Sequence, residues 1–475
     1  MTVSLFALAA AALSQAQAPS GSPVDPAMGV PVASSVEALP EPERDPLRID
    51  IAADPILGLA RESAPDDQFL RLVQRAVDLH PRVDEAQAGI AEAEAAEDEA
   101  RSGLFPTVDL AVNSQRTLSR EFDQDPDNII ERSRSRARTD LTAAVQQTLW
   151  DFGATANRIA AAGARLRAAS FQAEASADQV ALQAIAAWYD VFAYRALVGL
   201  GDAFLENQQD LRGAIQTRIA QGVSAPGDLP RVESYIASAE ADLSRYRRQL
   251  ANAEARFEEM FGVPAPPGLG RAPTLEVPAT TKDAAEFLAR STAQVESAAA
   301  IARAAQREAR AERAATYPSI AVGVDAGKYG LSGSDYDIRG RATLRYRFLG
   351  PGAARADQAA ARANAAEASA ARVRSEAERE AAIAWSDVVA LEQQLAALEN
   401  SYIASRQSRD VLAERFRVAR GTLFDLLESE SGYFNVAATY IRSITELDAA
   451  RYVLLSRTGR LLSTLDIDPP VLETP

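Results

Sequence analysis

The pattern of apolar residues divides the chain into long helical stretches and two short regions of alternation. From Asp66 onward the sequence is rich in Ala, Glu and Arg, and its apolar residues recur every three or four positions, as in packed amphipathic helices. Alternation with a period of two, typical of strands, follows Leu104 and then Thr316. We therefore predict a mixed α and β chain that is mainly helical.

Each alternating region predicts a β-hairpin, the first at about 105–150 and the second at about 318–348. The four strands have roughly 9 to 12 residues, the length that a tilted strand needs to cross a bilayer. In the last strand Leu344, Tyr346 and Phe348 share one face. The opposite face carries the arginines Arg339, Arg341, Arg345 and Arg347. A soluble hairpin with one wet face is the alternative, although an isolated two-stranded ribbon is marginal in water.

The chain also repeats itself at an offset of 197 residues. The offset superimposes several landmark residues without a gap: Gly153 on Gly350, Trp188 on Trp385, Asp228 on Asp425 and Gly262 on Gly459. Two structural repeats are therefore predicted, at 66–262 and 283–465. Each has the form helix, hairpin, long helix, turn and return helix. An equatorial linker, 263–282, lies between them, and a tail, 466–475, follows.

Turn-forming residues predict where the long helices end. They cluster at about 222–230 in the first repeat and at about 419–425 in the second. Each preceding helix then has about 70 residues, or about 100 Å at 1.5 Å per residue. Helices of about half that length are predicted at 228–261 and 283–315, so that two of them stacked end to end match one long helix.

The N-terminal region is predicted to lie outside the fold. Residues 1–18 have a short apolar core and end in Ala16-Gln17-Ala18, the pattern of a secretory signal peptide. No Lys or Arg precedes Arg44, so a disordered Ala-rich start is the alternative. Residues 19–65 contain nine prolines and little periodicity, which predicts a disordered leader.

Composition excludes several classes of function. The chain has no cysteine and one histidine, His80, so thiol chemistry, Cys or His zinc sites and haem attachment are excluded. Its formal net charge is −16, which makes nucleic acid a poor partner. No phosphate-binding glycine loop is present, and the acidic residues lie along long helix faces. We therefore predict no cofactor, no metal and no enzymatic activity.

Four strands are too few for a barrel of useful bore, whereas three copies would supply 12. The same threefold assembly would give 12 helical walls, and Ala-rich seams let such helices approach closely. The prediction is a homotrimer with a 12-stranded transmembrane barrel and a helical coiled-coil tunnel. A rod-shaped coiled coil with incidental hairpins is the alternative.

Three short motifs resemble those of the TolC family of outer-membrane efflux and secretion proteins. They are Ala76-Val-Asp-Leu-His-Pro81, Gln147-Thr-Leu-Trp-Asp-Phe-Gly153 and Leu423-Phe-Asp-Leu-Leu-Glu428. The resemblance covers roughly residues 66 to 465. It implies a trimer in the outer membrane whose tunnel crosses the periplasm and docks to a periplasmic adaptor and an inner-membrane transporter. The implied function is a passive exit duct for type I secretion or for a tripartite efflux pump.

The resemblance also assigns roles to residues of the two turns. Asp425 and Glu428 match the acidic residues that narrow the periplasmic mouth in the family, and three copies would form two acidic rings. The family usually has glycine six residues before that aspartate. Gly222 fits this pattern before Asp228, but Ala419 takes the place before Asp425, and Gly421 follows two residues later. These four turn residues, Gly222, Asp228, Ala419 and Gly421, are the predicted docking region for the adaptor.

The arginines of the last strand are predicted to line the barrel lumen, since an arginine that faces lipid at mid-bilayer costs about 2 to 4 kcal/mol. Arg132, Arg134, Arg136 and Arg138 extend the same parity into the second strand. The alternative for this second set is a solvated loop that touches lipopolysaccharide phosphates. If both sets line the lumen, an acidic entrance leads to a basic exit suited to an acidic polypeptide. A periplasmic structural coiled coil without transport remains the alternative function.

Overall fold

The computed structural model describes residues 39–40, 42, 49–61, 63–119, 121, 137–273, 279, 281–330, 336–348 and 350–468. The predicted signal peptide and the end of the tail lie outside these residues. So do Arg132, Arg134 and Arg136, together with most of the leader and of the loop between the first two strands.

Helices make up most of the described chain. Their bounds in chain order are α1 Pro55–Gly58, α2 Asp66–Asp78, α3 Pro81–Ser102, α4 Ala154–Ala220, α5 Asp228–Phe261, α6 Lys282–Ala289, α7 Ala293–Ala314, α8 Gly352–Arg417, α9 Leu423–Arg457 and α10 Leu461–Thr464. The two long helices have 67 and 66 residues. None of the helices in the described ranges is both long enough and apolar enough to span a membrane.

One antiparallel sheet accompanies the helices. Its strands are β1 Thr107–Arg116, β2 Ala137–Trp150, β3 Ser319–Tyr329 and β4 Tyr336–Arg345, and they lie side by side in that order. Both hairpins therefore belong to one sheet, in which β2 pairs with β3. The mixed α and β class predicted from the sequence is confirmed.

The long helices α4 and α8 form the framework on which the other helices pack. Near the sheet, α3 and α7 pack against α4, and α7 also contacts α8. Towards the other end, α5 packs against α4 and α9 packs against α8. The largest core cluster lies around Trp188 of α4. Its ring contacts Phe69 and Phe257, with centroids 5.2 and 6.0 Å away.

Three predicted boundaries need correction. The predicted helix 283–315 is two helices, because the chain leaves the helix at 290–292 and Thr292 precedes the start of α7 in an extended conformation. The last strand ends at Arg345 instead of Phe348, since the chain turns there towards Pro351 and α8. Residues 49–61 of the predicted disordered leader pack on the fold, with Ile56, Leu57 and Leu59 buried.

Candidate channel wall and tip sites

The register of the sheet separates polar and apolar residues onto opposite faces. One transverse row joins Asp109, Ala144, Asp325 and Arg339, and the adjacent row joins Leu110, Ala143, Ala326 and Ile338. Because side chains alternate along every strand, each polar row is followed by an apolar one. The four strands together therefore present one polar and one apolar face.

The apolar face is open to the surroundings of the single chain. Leu110 is 75 % exposed and Leu344 is 70 % exposed. Other large apolar residues exposed on this face include Val108, Val112, Leu141, Val145, Ile320, Val322, Val324 and Ile338. A continuous exposed apolar surface of this kind needs a partner, either another protein surface or lipid.

Aromatic residues collect where the sheet meets the helices. The ring centroids of Trp150 and Phe152 lie 5.9 Å apart, and those of Phe152 and Tyr317 lie 5.2 Å apart. All three side chains are about half exposed. Tryptophan and tyrosine are enriched at the boundary between lipid and water, because their rings are amphipathic. The position of this cluster is therefore the expected boundary of an apolar band.

The Gln147–Gly153 motif makes the turn from β2 into α4. Phe152 and Gly153 have positive φ angles of 56° and 84°. The Asp151 carboxylate accepts hydrogen bonds from the backbone N–H of Gly153 at 3.0 Å and from that of Thr155 at 2.7 Å. Burial acts to raise the pKa of Asp151, but the hydrogen bonds from Thr155 and Gly153 outweigh it and lower the pKa. The motif thus supplies both the turn and the cap that start the long helix.

The polar face carries as many carboxylates as guanidinium groups in the described strands. Arg341 lies 3.5 Å from Asp325, Arg339 forms an ion pair with Asp337, and Arg138 lies 2.6 Å from Asp140. Asp109 and Arg345 are the remaining charged residues of this face and lie on its two edge strands. The basic exit expected from the arginines alone is therefore offset by aspartates that the sequence reasoning did not weigh. Arg347 lies beyond the end of β4, so the strand register does not place it on this face.

The two turns at the far end of the long helices come together in a small apolar cluster. Ile215 of α4, Val232 of α5, and Leu423 and Leu427 of α9 are buried in it. Arg218 links the two turns directly: its guanidinium donates to the Phe416 carbonyl at 3.3 Å and lies 4.5 Å from the Phe416 ring centre. The fold thus brings the predicted tip residues of both repeats to one end of the molecule. We name this end, residues 218–228 and 416–428, the tip.

Ala419 adopts the backbone conformation that glycine has at the corresponding position of the first turn. Its φ is 56°, and that of Gly222 is 73°. Gly421 serves another purpose, because a Cβ atom there would lie 3.1 Å from the Phe416 nitrogen and 3.2 Å from the Arg415 Cβ. Alanine in place of the family's glycine at position 419 therefore keeps the left-handed turn, but the alanine backbone is strained there.

Ala419→Gly should raise the free energy of unfolding by about 0.5 to 1 kcal/mol. Glycine relieves the left-handed strain, and part of that gain is lost to its greater backbone entropy in the unfolded chain. Thermal unfolding of the purified protein measures the change. Ala413→Gly, at a helical position in α8, is the matched control and should destabilise by about 1 kcal/mol. A loss of stability in both variants would contradict strain at Ala419.

Asp425 and Glu428 lie on the exposed side of the first two turns of α9. Thr422 caps this helix, because its hydroxyl accepts a hydrogen bond from the Asp425 backbone N–H at 3.1 Å. The buried residues Leu423, Leu426 and Leu427 fix the opposite side. In the first turn, the Asp228 carboxylate accepts a hydrogen bond from the Ala225 N–H at 3.2 Å. Both tip carboxylates of α9 thus face away from the core, and their role as a constriction stays a prediction.

A buried polar network, missed in the sequence, joins the N-terminal segment to α8 and α9. Asp54 is 2 % exposed, and its carboxylate accepts hydrogen bonds from the backbone N–H groups of Ile56 and Leu57 at 2.9 and 3.0 Å. It also accepts a bond from the Tyr402 hydroxyl at 2.8 Å and lies 2.6 Å from Arg406. We call residues 49–61 the strap.

Tyrosine hydroxyls extend this network further. The Tyr402 and Tyr433 oxygens lie 2.8 Å apart, and the Arg409 guanidinium lies 4.7 Å from the Tyr433 ring centre. Burial raises the pKa of Tyr433 to about 12. It also raises the pKa of Tyr402, where Tyr433 and Asp54 act in the same direction. Both hydroxyls are therefore protonated at neutral pH, as the network requires.

A second buried ion pair joins the equatorial linker to α9, and its arginine also binds the strap. Arg271 donates to both oxygens of Asp448 at 2.6 and 2.8 Å, and it also donates to the Ala60 carbonyl. The backbone N–H of Ala64 donates to the Arg271 carbonyl at 2.7 Å. Residues 263–273, predicted as a linker, therefore contribute to the core.

His80 has a structural role. It lies between α2 and α3, and its Nδ1 accepts a hydrogen bond from the Arg82 backbone N–H at 3.1 Å. The side chain thus caps α3, followed by Pro81 at the first helical position, where proline is favoured.

Comparison with known proteins agrees with this geometry. Residues 72–263 match the model of the family described as outer membrane efflux protein. The outer membrane efflux protein BepC of Brucella suis is 23 % identical over 344 residues, which cover 68 % of this chain and 73 % of BepC. The resemblance predicted from the sequence is confirmed.

Solved channels share the fold. The outer membrane protein VceC of Vibrio cholerae superimposes with a TM-score of 0.72 at 17 % identity, covering 83 % of this chain and 96 % of VceC. The open state of the MtrE outer membrane channel of Neisseria gonorrhoeae gives 0.70 at 18 % identity, covering 83 % and 89 %.

These similarities define the fold of the protein. Residues 72–263 resemble outer membrane efflux proteins, and the chain has the fold of solved outer-membrane channels.

Proposed function

We propose that three copies of this chain form the exit duct of a tripartite efflux pump. The observation that carries the proposal is the two-faced sheet, whose exposed apolar side fits lipid and whose polar side fits water. Four strands with open edges on β1 and β4 close into a barrel of 12 strands when three copies join. Closure also satisfies the edge N–H and C=O groups that lipid would leave without partners.

The tip is the proposed contact with a periplasmic adaptor and, through it, with an inner-membrane transporter. Gly222, Asp228, Ala419 and Gly421 shape its two turns, and Phe424 is 48 % exposed beside them. In the trimer Asp425 and Glu428 of three copies converge at the mouth. The helices behind them, α4 and α8, provide rigid walls of about 100 Å.

Small-molecule efflux accounts for the polar face better than export of an acidic polypeptide. The basic exit that would have favoured such a cargo is offset by neighbouring aspartates. The relative BepC is named as an efflux protein, which supports the same assignment. Type I protein export is the competing outcome of the cargo test below.

The duct is tested by single-channel recording on protein purified from outer membranes. The wild type should migrate as a heat-modifiable trimer and conduct, with preference for cations. Asp425→Ala combined with Glu428→Ala should lower the cation preference and the block by multivalent cations severalfold, because two acidic rings are removed. Glu446→Ala is the control: this exposed acid lies on the same helix, about 30 Å further along. Unchanged selectivity in the double variant would show that these residues do not form the constriction. A wild-type protein that is monomeric and does not conduct would refute the duct.

The cargo is tested by deleting the gene. Susceptibility to drugs and bile salts should rise, and the secreted proteome should stay the same. Loss of a secreted protein with unchanged susceptibility would assign the duct to type I export.

A further inference from the structure

On the polar face, each open edge of the sheet carries one charge without an ionic partner among the described residues. Asp109 lies on β1 and Arg345 lies on β4, and both are exposed. Both belong to the polar face, since Asp109 shares a row with Asp325 and Arg345 pairs with Ser319. The other described arginines of this face lie beside carboxylates of their own chain. Opposite unpaired charges thus stand on the two edges.

The register determines how these edges meet in a closed assembly. The row that starts at Thr107, the first residue of β1, runs through Gln146 and Gly323 to Arg341. Arg345 is the residue of β4 nearest to the helices, and Arg341 lies four residues before it. The row thus starts at the helix-proximal end of β1 and reaches β4 four residues away from the helix-proximal end of that strand, a displacement that we call the climb of the row. Because a barrel has a single sense of tilt, the row continues to climb when it passes to the next copy.

The size of the climb follows from barrel geometry. Twelve strands tilted by about 35 to 45° need a stagger of about 12 to 18 residues around the barrel, or about four to six per copy. The step is even, because an odd step would exchange the polar and apolar faces. A step of six places Arg345 opposite Asp109 of the next copy, and a step of four makes the two residues diagonal neighbours. A long arginine side chain spans both arrangements.

We propose that Arg345 of one copy pairs with Asp109 of the next and selects the register in which the three copies close. The inference rests on the proposed trimeric duct, and its partner is a second copy of this chain. Alternating polar and apolar residues reject a slip of one position but tolerate a slip of two. A single pair of opposite charges distinguishes between such slips, so it supplies the information that the alternation lacks.

Disulfide trapping tests the pair directly, because the chain has no cysteine. The variant with Asp109→Cys and Arg345→Cys, oxidised with copper–phenanthroline in outer membranes, should migrate as a covalent trimer without reductant and as a monomer with it. Within one copy the two positions lie three strands apart, at least about 14 Å, which is too far for a disulfide. Any disulfide therefore joins different copies.

The matched control combines Asp109→Cys with Arg339→Cys, which share a row in one chain but lie about four to six residues out of step across the boundary. It should remain monomeric without reductant. If the protein forms a heat-modifiable trimer but the disulfide forms with position 339 instead of 345, or with neither, the proposed pair is wrong and the proposed duct is unaffected. Absence of any trimer in the unoxidised wild type would refute the duct itself.

Charge exchange provides a second test. Asp109→Arg alone should lower the yield of heat-resistant trimer about tenfold or more, because two arginines then face each other at each boundary. Adding Arg345→Asp should restore the yield. Failure of the exchange to restore a trimer that Asp109→Arg has lost would contradict the pairing.

Discussion

Asp54→Ala should lower the free energy of unfolding by about 3 to 5 kcal/mol, the usual effect of removing one partner from a buried ion pair. The substitution takes away the carboxylate that lies 2.6 Å from Arg406 and accepts the Tyr402 hydroxyl hydrogen bond. It also removes the cap on the backbone N–H groups of Ile56 and Leu57. Thermal or denaturant unfolding of the purified protein measures the loss. Protease cleavage within 49–61 should become faster at the same time.

Asp50→Ala is the matched control on the same strap. Asp50 also accepts hydrogen bonds from two backbone N–H groups, those of Ala52 and Ala53, but it is exposed. Its removal should cost about 0.5 to 1 kcal/mol, in the range of an exposed cap. Equal effects of the two substitutions would show that only the caps contribute and that the pair with Arg406 does not stabilise the fold.

Removing the arginines and removing the aspartates of the polar face should shift the ion selectivity of the channel in opposite directions. Gln at Arg339 and Arg341 uncovers Asp325 and Asp337 in each of the three copies of the proposed trimer, so cations should be favoured. Asn at Asp325 and Asp337 uncovers the arginines, so anions should be favoured. The field of six or more uncovered charges in one pore should change the permeability ratio by about threefold or more in each direction. Reversal potentials in a salt gradient measure it.

Combining all four substitutions should return the selectivity to that of the wild type, since the face is then neutral again. Exposed ion pairs contribute only about 0 to 1 kcal/mol each, so trimer yield should change little in any of these variants. A shift in the same direction for both sets would show that this face does not line the pore. Loss of all trimer from the membrane would show that the face points to lipid.

The sequence predicted the elements well where one periodicity continues over many residues. The helix predicted at 228–261 has these bounds in the structure, and the long helices have 67 and 66 residues where about 70 were expected. Such patterns are local, because residues on one face of a helix or strand recur at a fixed short spacing in the sequence. The mixed class and the four strands could therefore be predicted from the residues.

Predictions from composition alone were less reliable. The nine prolines of 19–65 suggested disorder, but Pro55 starts the short helix α1 and Asp54 caps it. The segment is ordered by contacts with residues about 350 positions away, which no local pattern contains. The arginines of β4 suggested a positively charged wall. Two aspartates offset their charge: Asp325 lies on the neighbouring strand β3, and Asp337 lies at the loop end of β4.

Sequence by itself determined the class of the fold, the family resemblance and the positions of the turns, because all of these depend on residues close together in the chain. The tertiary structure decided that both hairpins share one sheet, that Ala419 adopts a left-handed conformation, and that Asp54, Arg406 and Arg271 tie the strap to the core. It also decided which charges face each other across the strands. These features depend on strand register and on contacts between distant segments, and both are set by packing of the whole chain.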